Sequence, residues 1–484
     1  MTEQLTVIVL AAGGGTRMKS KTPKVLHAIG GRSMIGHVLH AVGTLEPARL
    51  VTVVGHQREL VGPHIARLAP EAVVAVQEEQ LGTGHAVRVA LEALTEAGQR
   101  PTAGTVLVAY GDTPLLQGAT LRDFVDAHAA AGAAVSILSG IVEQPTGYGR
   151  IVRDADGAVT SIVEEKDATD EQRAISEINS GILAVDAAFL GECVTRFTDD
   201  NAGGEYYLTD AVGIARGDGL LVAAHPVADA LQTEGANDRA QLAELGAEMN
   251  RRILTAHMRA GVTVLDPATT WIDADVTLAS DVTILPGTQL LGTTVVAEDA
   301  VIGPDTTLAD CEIGAGARVV RTHGQLSVIG AGASVGPFAH LRPGTRLGVG
   351  GKIGGFVETK NSEIGDGAKV PHLSYVGDAE IGEGANIGAG TIFANYDGVE
   401  KHRTTVGRHA KTGSNNTFVA PVAIGDGAGT GGGTVVREDV PPGALAVSSG
   451  PQRNIEGWAQ RKRPDTAQGR AAAAASDPDL AAGE

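Results

Sequence analysis

Four cationic side chains follow a glycine-rich turn near the start of the sequence. Gly13, Gly14 and Gly15 come first, and the cations after them are Arg17, Lys19, Lys21 and Lys24. Backbone N–H groups of such a turn, together with fixed positive charges, can hold a polyphosphate. The stretch is neither a Walker A loop, since no Gly-Lys-Ser/Thr follows, nor a dinucleotide GxGxxG, since Met18 stands at the third glycine. A plain strand-to-loop turn is the alternative.

Two further polar residues follow apolar runs. Asp112 comes after Tyr110 and Gly111, and a carboxylate in this position is a natural Mg²⁺ ligand. A helix cap or a turn is the alternative role for this aspartate. Gln77 carries both a donor and an acceptor, as recognition of a uracil edge requires. Gly82 would allow backbone groups to approach the base.

Alternating strand-like and helix-like segments position these residues. Strands are predicted at 6–10, 50–54, 73–76, 105–109, 134–138 and 221–225, with helices between several of them, for example at 33–43 and 84–94. This alternation predicts a doubly wound, Rossmann-like α/β domain over residues 1–238 with a mainly parallel sheet. Ligands in such sheets bind beyond the carboxyl ends of the strands, where Gln77 and Asp112 fall.

A single helix is predicted to follow this domain. Asp238 and Gln241 have capping-box spacing. Apolar residues then recur at helical intervals at Leu242, Leu245, Met249 and Ile253. We therefore predict a linker helix over 239–260, with Gly261 as its stop.

A six-residue repeat occupies residues 261–458. Ile-Gly pairs mark it, as in IGAGAR at 313–318 and IGEGAN at 381–386. Because one short coil cannot bury its aliphatic residue alone, the coils must stack into a parallel β-helix. Outward-facing positions of the repeat hold Lys360, His372, Tyr375 and Asn386. A histidine can serve as the base when an amine attacks a thioester near neutral pH.

The composition limits the partners. The 484 residues carry a formal net charge of −19, which argues against nucleic acid or an anionic membrane as a partner. The two cysteines, Cys193 and Cys311, are far apart, which favours structural thiols in a reducing compartment. No apolar run approaches the ~18 residues of a membrane span. We expect a cytoplasmic protein without membrane insertion, and a small, polar tail at 459–484 that is disordered.

The first half resembles a known enzyme family. LAAGGGTRM at 10–18, followed by PKVLH at 23–27, resembles the signature of the sugar-nucleotide pyrophosphorylases, which join a sugar 1-phosphate to a nucleoside triphosphate and release pyrophosphate. The segments at 146–151, 162–167 and 177–181 resemble the sugar-binding segments of that family. Without the resemblance, Glu164 would be read as an ordinary surface charge.

The resemblance implies roles for particular residues of the first half. Arg17 and Lys24 would stabilise the charge that builds up during transfer, and Asp112 and Asn237 would hold Mg²⁺ as the cofactor. The residues implied to contact UTP or the UDP-sugar are Leu10, Ala11, Ala12, Gly13, Lys24, Gln77, Gly82, Thr83, Tyr110, Gly111, Asp112, Gly149, Glu164, Asn179 and Asn237.

The second half resembles the acetyltransferase half of a bifunctional family. VPHLSYVGD at 370–378, NIGAGTIFANYDG at 386–398 and GSNNTFVAPV at 413–422 carry this likeness. The family combines N-acetylglucosamine-1-phosphate uridyltransferase with glucosamine-1-phosphate N-acetyltransferase. It implies that the β-helix is left-handed and forms a homotrimer. Acetylation of glucosamine 1-phosphate by acetyl-CoA would come first, and uridylylation would then give UDP-N-acetylglucosamine for cell-wall precursors.

The resemblance also implies roles in the second half. His372 would be the catalytic base. The sugar phosphate would contact Arg342, Lys360, Tyr375 and Asn386, and acetyl-CoA would contact Ala389, Asn395, Tyr396, Ser414 and Gly432.

Two positions depart from the family pattern. The family often has Arg where this chain has Ser449, and Ala where it has Gly432. The first departure puts one CoA phosphate contact in doubt, for which Arg437 and Arg453 are possible substitutes. Trp458 would either cover the CoA site or pack on the last coil.

Two rival functions remain open. In the first, the β-helix of a nucleotidyltransferase serves only assembly or regulation, which the His372, Tyr375 and Asn386 set argues against. In the second, the chain is a non-enzymatic scaffold, which Lys24 and Asp112 argue against.

Overall fold

The computed structural model describes residues 5–201, 203–448 and 450–476. Packing divides the chain into two compact units, Met1–Glu312 and Ile313–Glu484. The domain boundaries predicted at 238, 260 and 458 remain predictions. The helix predicted at 239–260 and the first coils of the repeat are part of the first unit.

A twisted sheet forms the core of the first unit. Its strands and the small hairpin beside it are β1 (Leu5–Ala11), β2 (Ala28–Ile29), β3 (Arg32–Ser33), β4 (Arg49–Val54), β5 (Val73–Val76), β6 (Thr105–Tyr110), β7 (Val135–Ile141), β8 (Arg150–Arg153), β9 (Val159–Val163), β10 (Glu177–Asp186) and β11 (Val222–Val227). The helices of this unit are α1 (Met34–Gly43), α2 (Arg58–Leu68), α3 (Thr83–Glu96), α4 (Gly118–Ala131), α5 (Asp170–Arg173), α6 (Ala187–Cys193), α7 (Asp210–Gly217) and α8 (Arg239–Arg259).

The strand order places β1 near the middle of the sheet. The order is β11-β7-β10-β6-β1-β4-β5, with β1 parallel to both β4 and β6. Every residue of β1 is buried, and apolar clusters cover both faces of the sheet, as a parallel sheet requires. The prediction of a doubly wound α/β domain is therefore confirmed. Not predicted were β10, which runs antiparallel to β6 and β7, and the β8–β9 hairpin paired with it.

The helix α8 packs along a single apolar stripe. The Asp238 carboxylate caps it by accepting from the N–H groups of Ala240 and Gln241. Leu245 and Met249 pack against a cluster that includes Met34 of α1.

Short parallel strands form the coils of the repeat. In the first unit they are β12 (Thr263–Val264), β13 (Trp271–Ile272), β14 (Thr277–Leu278), β15 (Thr283–Ile284), β16 (Gln289–Leu291), β17 (Val295–Val296), β18 (Val301–Ile302) and β19 (Thr307–Ala309). Each strand pairs in parallel with the equivalent strand of the next coil, as β12 does with β15 and β15 with β18.

The second unit continues the same pattern. After β20 (Glu312–Ile313) its strands are β21 (Arg318–Val319), β22 (Thr322–Gln325), β23 (Val328–Ile329), β24 (Ser334–Val335), β25 (Ala339–Leu341), β26 (Thr345–Leu347), β27 (Lys352–Gly355), β28 (Glu358–Ile364), β29 (Lys369–His372), β30 (Tyr375–Ile381), β31 (Ile392–Ala394), β32 (Thr404–Val406), β33 (Thr417–Val419), β34 (Val422–Ile424), β35 (Gly429–Thr430), β36 (Val435–Val436) and β37 (Leu445–Ala446).

Stacked aliphatic side chains fill the interior of the coils. Ile353, Val370 and Ile387 lie on successive coils and are fully buried. This run of parallel strands in a curled sheet is the predicted β-helix, and it is consistent with the left hand that the resemblance implies. A loop between β31 and β32 interrupts the repeat.

The predicted disordered tail is largely helical in its described part, and residues 477–484 lie outside the described residues. Two short helices, α9 (Trp458–Lys462) and α10 (Ala467–Ala475), occupy much of the segment that was predicted to be disordered. Alanine has the highest helix propensity, and the Thr466 hydroxyl caps α10 by accepting from the Gly469 N–H. Trp458 lies beneath the Arg463 guanidinium, 4.7 Å from the ring centroid.

Candidate active sites

Lys24 connects the two residues that were predicted to hold a metal. Its ammonium lies 2.5 Å from Asp112 Oδ2 and donates to Asn237 Oδ1 at 2.9 Å. The three residues are far apart in the sequence, and the fold brings them together beyond the carboxyl ends of β1 and β6. This is the edge of the sheet where a ligand is expected.

The glycine loop sets the position of Lys24. Gly15 has a left-handed backbone with φ of 55°, and a Cβ at this position would lie 2.5 Å from Lys24 Cβ. Only glycine combines this conformation with such a close approach. Gly13, in contrast, is exposed, and a Cβ placed there would meet no atom within 4 Å.

The residues predicted to bind the base surround the end of β5. The buried Gln77 amide donates to Gly82 O at 3.1 Å and lies 3.0 Å from His85 Nδ1. Gln80 Nε2 donates to Ala12 O at 2.7 Å and so fixes the loop after β1. Leu10 and Ala11 are in β1 itself, where Gly111 N donates to Leu10 O. Gln80 is a positioning contact that was not predicted from the sequence.

The residues predicted to bind the sugar also lie together. Asn179 N donates to Gly149 O at 2.8 Å, and a Cβ on Gly149 would lie 3.3 Å from both carboxylate oxygens of Glu164. Glu164 is partly buried, unlike an ordinary surface charge, and burial raises the pKa of its carboxyl, with the nearby Asp167 adding to the effect.

Tyr110 lies between the metal-side and sugar-side residues. Burial raises the pKa of its phenol, and the charges of Asp112 and Glu164 raise it further, whereas a hydrogen bond with Thr83 opposes the shift. The phenol therefore stays protonated and can donate a hydrogen bond.

A pocket of about 320 Å³ adjoins these residues. Arg17, Asp112 and Asn237 line one part of it, and Thr146, Gly147 and Tyr148 line another. Arg17 is exposed, so its guanidinium is free to reach a bound anion.

The donor set suits a hard divalent cation. The oxygens of Asp112 and Asn237 already converge on one cationic group, the Lys24 ammonium. Mg²⁺ favours a few protein oxygens and completes its shell with water and phosphate oxygens. Among the described residues, no group of three or more His, Cys, Asp or Glu side chains could hold a metal ion. The described helices include none that is long and apolar enough to span a membrane.

A polar cluster on the second unit contains several predicted acetyltransferase residues. Asp378 accepts from Asn395 Nδ2 at 2.5 Å and from Asn361 Nδ2 at 2.7 Å, and Asn395 Nδ2 is 3.4 Å from the Tyr375 hydroxyl. Burial works to raise the pKa of Asp378, but these amide hydrogen bonds and the nearby Lys360 and Lys401 charges hold it below its usual value.

Two lysines concentrate positive charge beside this cluster. A contact with Lys401 lowers the pKa of Lys360, and burial of its ammonium lowers it further. Two adjacent ammonium groups favour binding of an anion such as a sugar phosphate. Arg342, predicted to act with Lys360, donates to Glu358 at 3.0 Å. Lys401, Asp378 and Asn361 were not identified from the sequence, because Lys401 lies in the loop between β31 and β32 and nothing in the repeat distinguishes the other two.

His372 and three of the five residues predicted to bind acetyl-CoA form a column along one corner of the coils. Gly390 N donates to His372 O at 3.1 Å, Asn415 N to Ala389 O at 2.7 Å, and Gly433 N to Ser414 O at 2.8 Å. His372, Ala389, Ser414 and Gly432 are therefore equivalent positions on successive coils. All four predicted residues line one continuous edge.

No side-chain hydrogen bond or ion pair joins the column to the polar cluster among the described residues of one chain. The exposed His372 imidazole makes no hydrogen bond or ion pair in the part of the chain that the structure describes. Asn386 lies in a parallel bridge between Lys369 and Lys411, and the exposed Tyr396 donates to Gly398 O at 2.6 Å in the interrupting loop. Ser449, where an Arg was expected, lies outside the described residues.

The cysteines fit their predicted structural role. Cys193 and Cys311 are both buried as thiols. Burial raises the pKa of Cys193 to about 12, so its thiol is not a nucleophile near neutral pH.

Comparison with known proteins identifies relatives of the whole chain. Residues 7–176 match the MobA-like NTP transferase domain family. The chain is 58% identical to the bifunctional protein GlmU of Corynebacterium efficiens over 475 residues, covering 97% of each chain. It is 60% identical to GlmU of Rhodococcus opacus, covering 98% of this chain and 96% of the relative, and 57% identical to that of Mycolicibacterium vanbaalenii, covering 95% and 94%.

Such identities extend across the α/β domain, α8 and the coils together, so they cover both candidate sites. On this basis the chain belongs to the family of bifunctional GlmU proteins.

Proposed function

We propose that this transferase makes UDP-N-acetylglucosamine in two separate steps on its two units. The second unit transfers an acetyl group from acetyl-CoA to glucosamine 1-phosphate. The first unit transfers the uridylyl group of UTP to the resulting N-acetylglucosamine 1-phosphate and releases pyrophosphate. The observation that carries the proposal is the convergence of Lys24, Asp112 and Asn237 beside the pocket, in a chain that also carries the His372 column.

In the acetyl transfer, His372 accepts the proton of the attacking amine. The amine nitrogen bonds to the thioester carbonyl carbon, the carbon–sulfur bond breaks, and CoA leaves as its thiol. Lys360 and Lys401 supply positive charge for the sugar phosphate, and Tyr375 and Asn395 hold the sugar or the acyl group. The column of Ala389, Ser414 and Gly432 provides an edge along which CoA can lie.

In the uridylyl transfer, a phosphate oxygen of N-acetylglucosamine 1-phosphate attacks the α-phosphorus of UTP. The bond to the β-phosphate oxygen breaks and pyrophosphate departs. Lys24 and Arg17 neutralise charge on the phosphates, so positioning and electrostatics carry the rate. Asp112 and Asn237 would hold Mg²⁺, which when bound neutralises phosphate charge and orients the phosphates.

The remaining assignments rest on chemistry and resemblance. Glu164, Asn179 and Gly149 face the sugar, and Gln77, Gly82 and Thr83 face the base. The chain is proposed to act in the cytoplasm because its two buried thiols suit a reducing compartment. It is proposed to assemble as a homotrimer through the β-helix, which would bring the polar cluster of one copy toward the His372 column of another.

One assay tests both activities. Free thiol and pyrophosphate are followed separately with glucosamine 1-phosphate, acetyl-CoA, UTP and Mg²⁺. His372→Ala should abolish thiol release but leave pyrophosphate formation from N-acetylglucosamine 1-phosphate intact, and Asp112→Ala should do the reverse. Absence of thiol release by the unmodified chain would leave the β-helix with a role in assembly only. Absence of both products would favour a scaffold.

A further inference from the structure

A buried arginine lies directly behind the sugar side of the first unit. Arg150 begins β8, and only 1% of its surface is exposed. Burying a guanidinium is costly unless charge and hydrogen bonds compensate for it. The contacts of Arg150 therefore indicate what it stabilises.

The Arg150 guanidinium connects three segments of the chain. Its Nη1 donates to Tyr148 O, and its Nη2 donates to Glu165 Oε2 at 2.8 Å. Nη2 also lies 3.4 Å from Arg173 O, at the end of α5. One side chain thus joins the loop before β8, the segment after β9 and the short helix α5.

Glu165 completes the connection to the loop. The same oxygen that accepts from Arg150 also accepts from Gly147 N at 3.2 Å. Gly147 has φ of 90°, within a turn that Tyr148 N closes by donating to Pro145 O at 3.2 Å. The hydrogen bonds from Gly147 and Arg150 lower the pKa of the Glu165 carboxyl, so it is ionised at neutral pH.

Each member of this ion pair directly follows a sugar-facing residue in the sequence. Arg150 follows Gly149, and Glu165 follows Glu164. The carboxylate of Glu164 lies against Gly149, within 3.3 Å of the position that a Cβ would take there. The loop that the pair holds also supplies Thr146, Gly147 and Tyr148 to the wall of the pocket.

We propose that Arg150 and Glu165 are positioning residues for the sugar phosphate in the uridylyl transfer. Together they fix the distance between the 145–149 loop and the Glu164 carboxylate. That distance would suit the sugar of the substrate. The inference rests on the proposed function of the first unit. Neither residue contacts a reacting atom, so their loss should weaken binding of the sugar phosphate more than it slows the chemistry.

The planar guanidinium is required for this role. Arg150 uses two nitrogens to bond acceptors that lie in different directions. A lysine ammonium is a point charge that can keep the ion pair with Glu165. It cannot reproduce the two planar nitrogens with which the guanidinium bonds its separate acceptors. Arg150→Lys should therefore keep the charge and lose the geometry.

The test compares KM values for the two substrates. Pyrophosphate release is measured for Arg150→Lys and Glu165→Gln while N-acetylglucosamine 1-phosphate and UTP are varied in turn. Arg150→Lys should raise the KM for the sugar phosphate about tenfold or more, with the KM for UTP and kcat changed less than about threefold. Glu165→Gln keeps an acceptor for Gly147 N–H and should give a smaller rise of about threefold.

Arg153→Lys provides a matched control on the same strand. Arg153 forms a comparable ion pair with Glu177, through Nε and Nη2 at 2.7 Å each, without contact to the loop. The Arg153→Lys variant should leave the KM for the sugar phosphate unchanged. Thermal unfolding of all three variants separates a loss of fold from a loss of position.

The outcomes separate this inference from the proposed function. If the unmodified chain releases no pyrophosphate, the proposed function fails. If it does, equal changes in both KM values, or an unchanged KM for the sugar phosphate in Arg150→Lys, would overturn the positioning role. Should Arg150→Lys fail to fold, the KM values of Glu165→Gln alone test the positioning role. The Glu165 side chain is 29% exposed, so the chain should tolerate this substitution.

Discussion

At the scale of single residues, Gly377 controls the position of two side chains in the second unit. Tyr375 folds back across its own strand, so that a Cβ on Gly377 would lie 2.3 Å from the Tyr375 hydroxyl and 2.8 Å from Asn395 Nδ2. Both side chains belong to the cluster around Asp378. Tyr375 and Asn395 can therefore take these positions only because residue 377 is a glycine.

We predict that Gly377→Ala lowers acetyl transfer at least about tenfold, because displacing two positioned groups by ~1 Å can cost up to 10²-fold. Thiol release measures this effect. Gly429→Ala is the matched control, since a Cβ there meets Leu445 Cδ1 at 3.4 Å and Lys411 O at 3.5 Å, both ordinary contacts. Equal rates for Gly377→Ala and Gly429→Ala would contradict the prediction.

Lys24 gives a second prediction at this scale. Its ammonium uses the same two oxygens, on Asp112 and Asn237, that would hold a divalent cation. Removing the ammonium should raise the affinity of the nucleotide-free protein for the cation roughly tenfold, or about 1.4 kcal/mol, because like charges no longer compete.

Titration of Mn²⁺, followed by the loss of its free EPR signal, measures this affinity for Lys24→Met and the unmodified chain. Adding Asp112→Asn to Lys24→Met should reverse the gain. Unchanged Mn²⁺ binding in Lys24→Met would show that the ammonium and the cation do not share these oxygens.

The sequence predicted residues that carry chemistry better than residues that position them. The residue types of Lys24 and Asp112 indicate ion binding, the family resemblance adds Asn237, and the structure brings the three together. Gly377 is one of 66 glycines, and only the path of the Tyr375 side chain distinguishes it. Arg150 was visible in its motif, but the motif does not predict that Tyr148, Glu165 and Arg173 enclose its side chain.

At the scale of elements, one buried amide joins α8 to the first coil. Asn250 is 7% exposed, its Nδ2 donates to Thr270 O at 2.8 Å, and its Oδ1 accepts from Ile272 N at 3.1 Å. These bonds and the α8 contacts explain why the first coils pack with the α/β domain as one unit, although the repeat begins at 261.

We predict that Asn250→Ala destabilises the first unit by about 2–4 kcal/mol, because two backbone groups beside β13 lose their partners. Denaturant unfolding of the full chain, followed by the fluorescence of Trp271 near this contact, measures the change. Thr255→Ala on the same helix is a suitable control, since Thr255 is only partly buried and its hydroxyl donates to Arg251 O within α8. A loss below about 0.5 kcal/mol for Asn250→Ala would mean that the amide is dispensable.

The elements were predicted to different degrees. Strands β1, β4 and β6 were found because buried parallel strands are continuous apolar runs. The strand β10 was missed because its first half reads EINSG, with polar residues that face the site and a register shift between Asn179 and Leu183. The polar residues that face the candidate site thus interrupt the apolar pattern by which a strand is recognised.

At the scale of the molecule, an apolar corner of the second unit points to assembly. Phe338, Phe356 and Leu373 lie on successive coils, and they are 51%, 63% and 62% exposed. The two phenylalanine rings stack with centroids 5.1 Å apart. All three residues have φ between 52° and 58°, a region that is strained for bulky side chains. Exposed apolar groups in strained positions are costly unless a partner covers them.

This corner continues directly into the acetyltransferase column, because Leu373 follows His372. A second copy of the chain that covers Phe356 and Leu373 would come to lie beside His372. That second copy would then add its polar cluster to the site around the first copy's His372. The proposed trimer would in this way complete each acetyltransferase site and leave the uridylyl site within a single chain.

We therefore predict that Phe356→Asp reduces the assembled mass in sedimentation or light scattering toward that of one chain and lowers thiol release at least about a hundredfold. Pyrophosphate release should stay within about twofold, because Lys24, Asp112 and the pocket belong to the first unit. Val349→Asp introduces the same charge at a different corner, at an apolar residue that is 57% exposed, and should change neither mass nor rates. Loss of mass with thiol release intact would show that one chain completes the acetyltransferase site unaided.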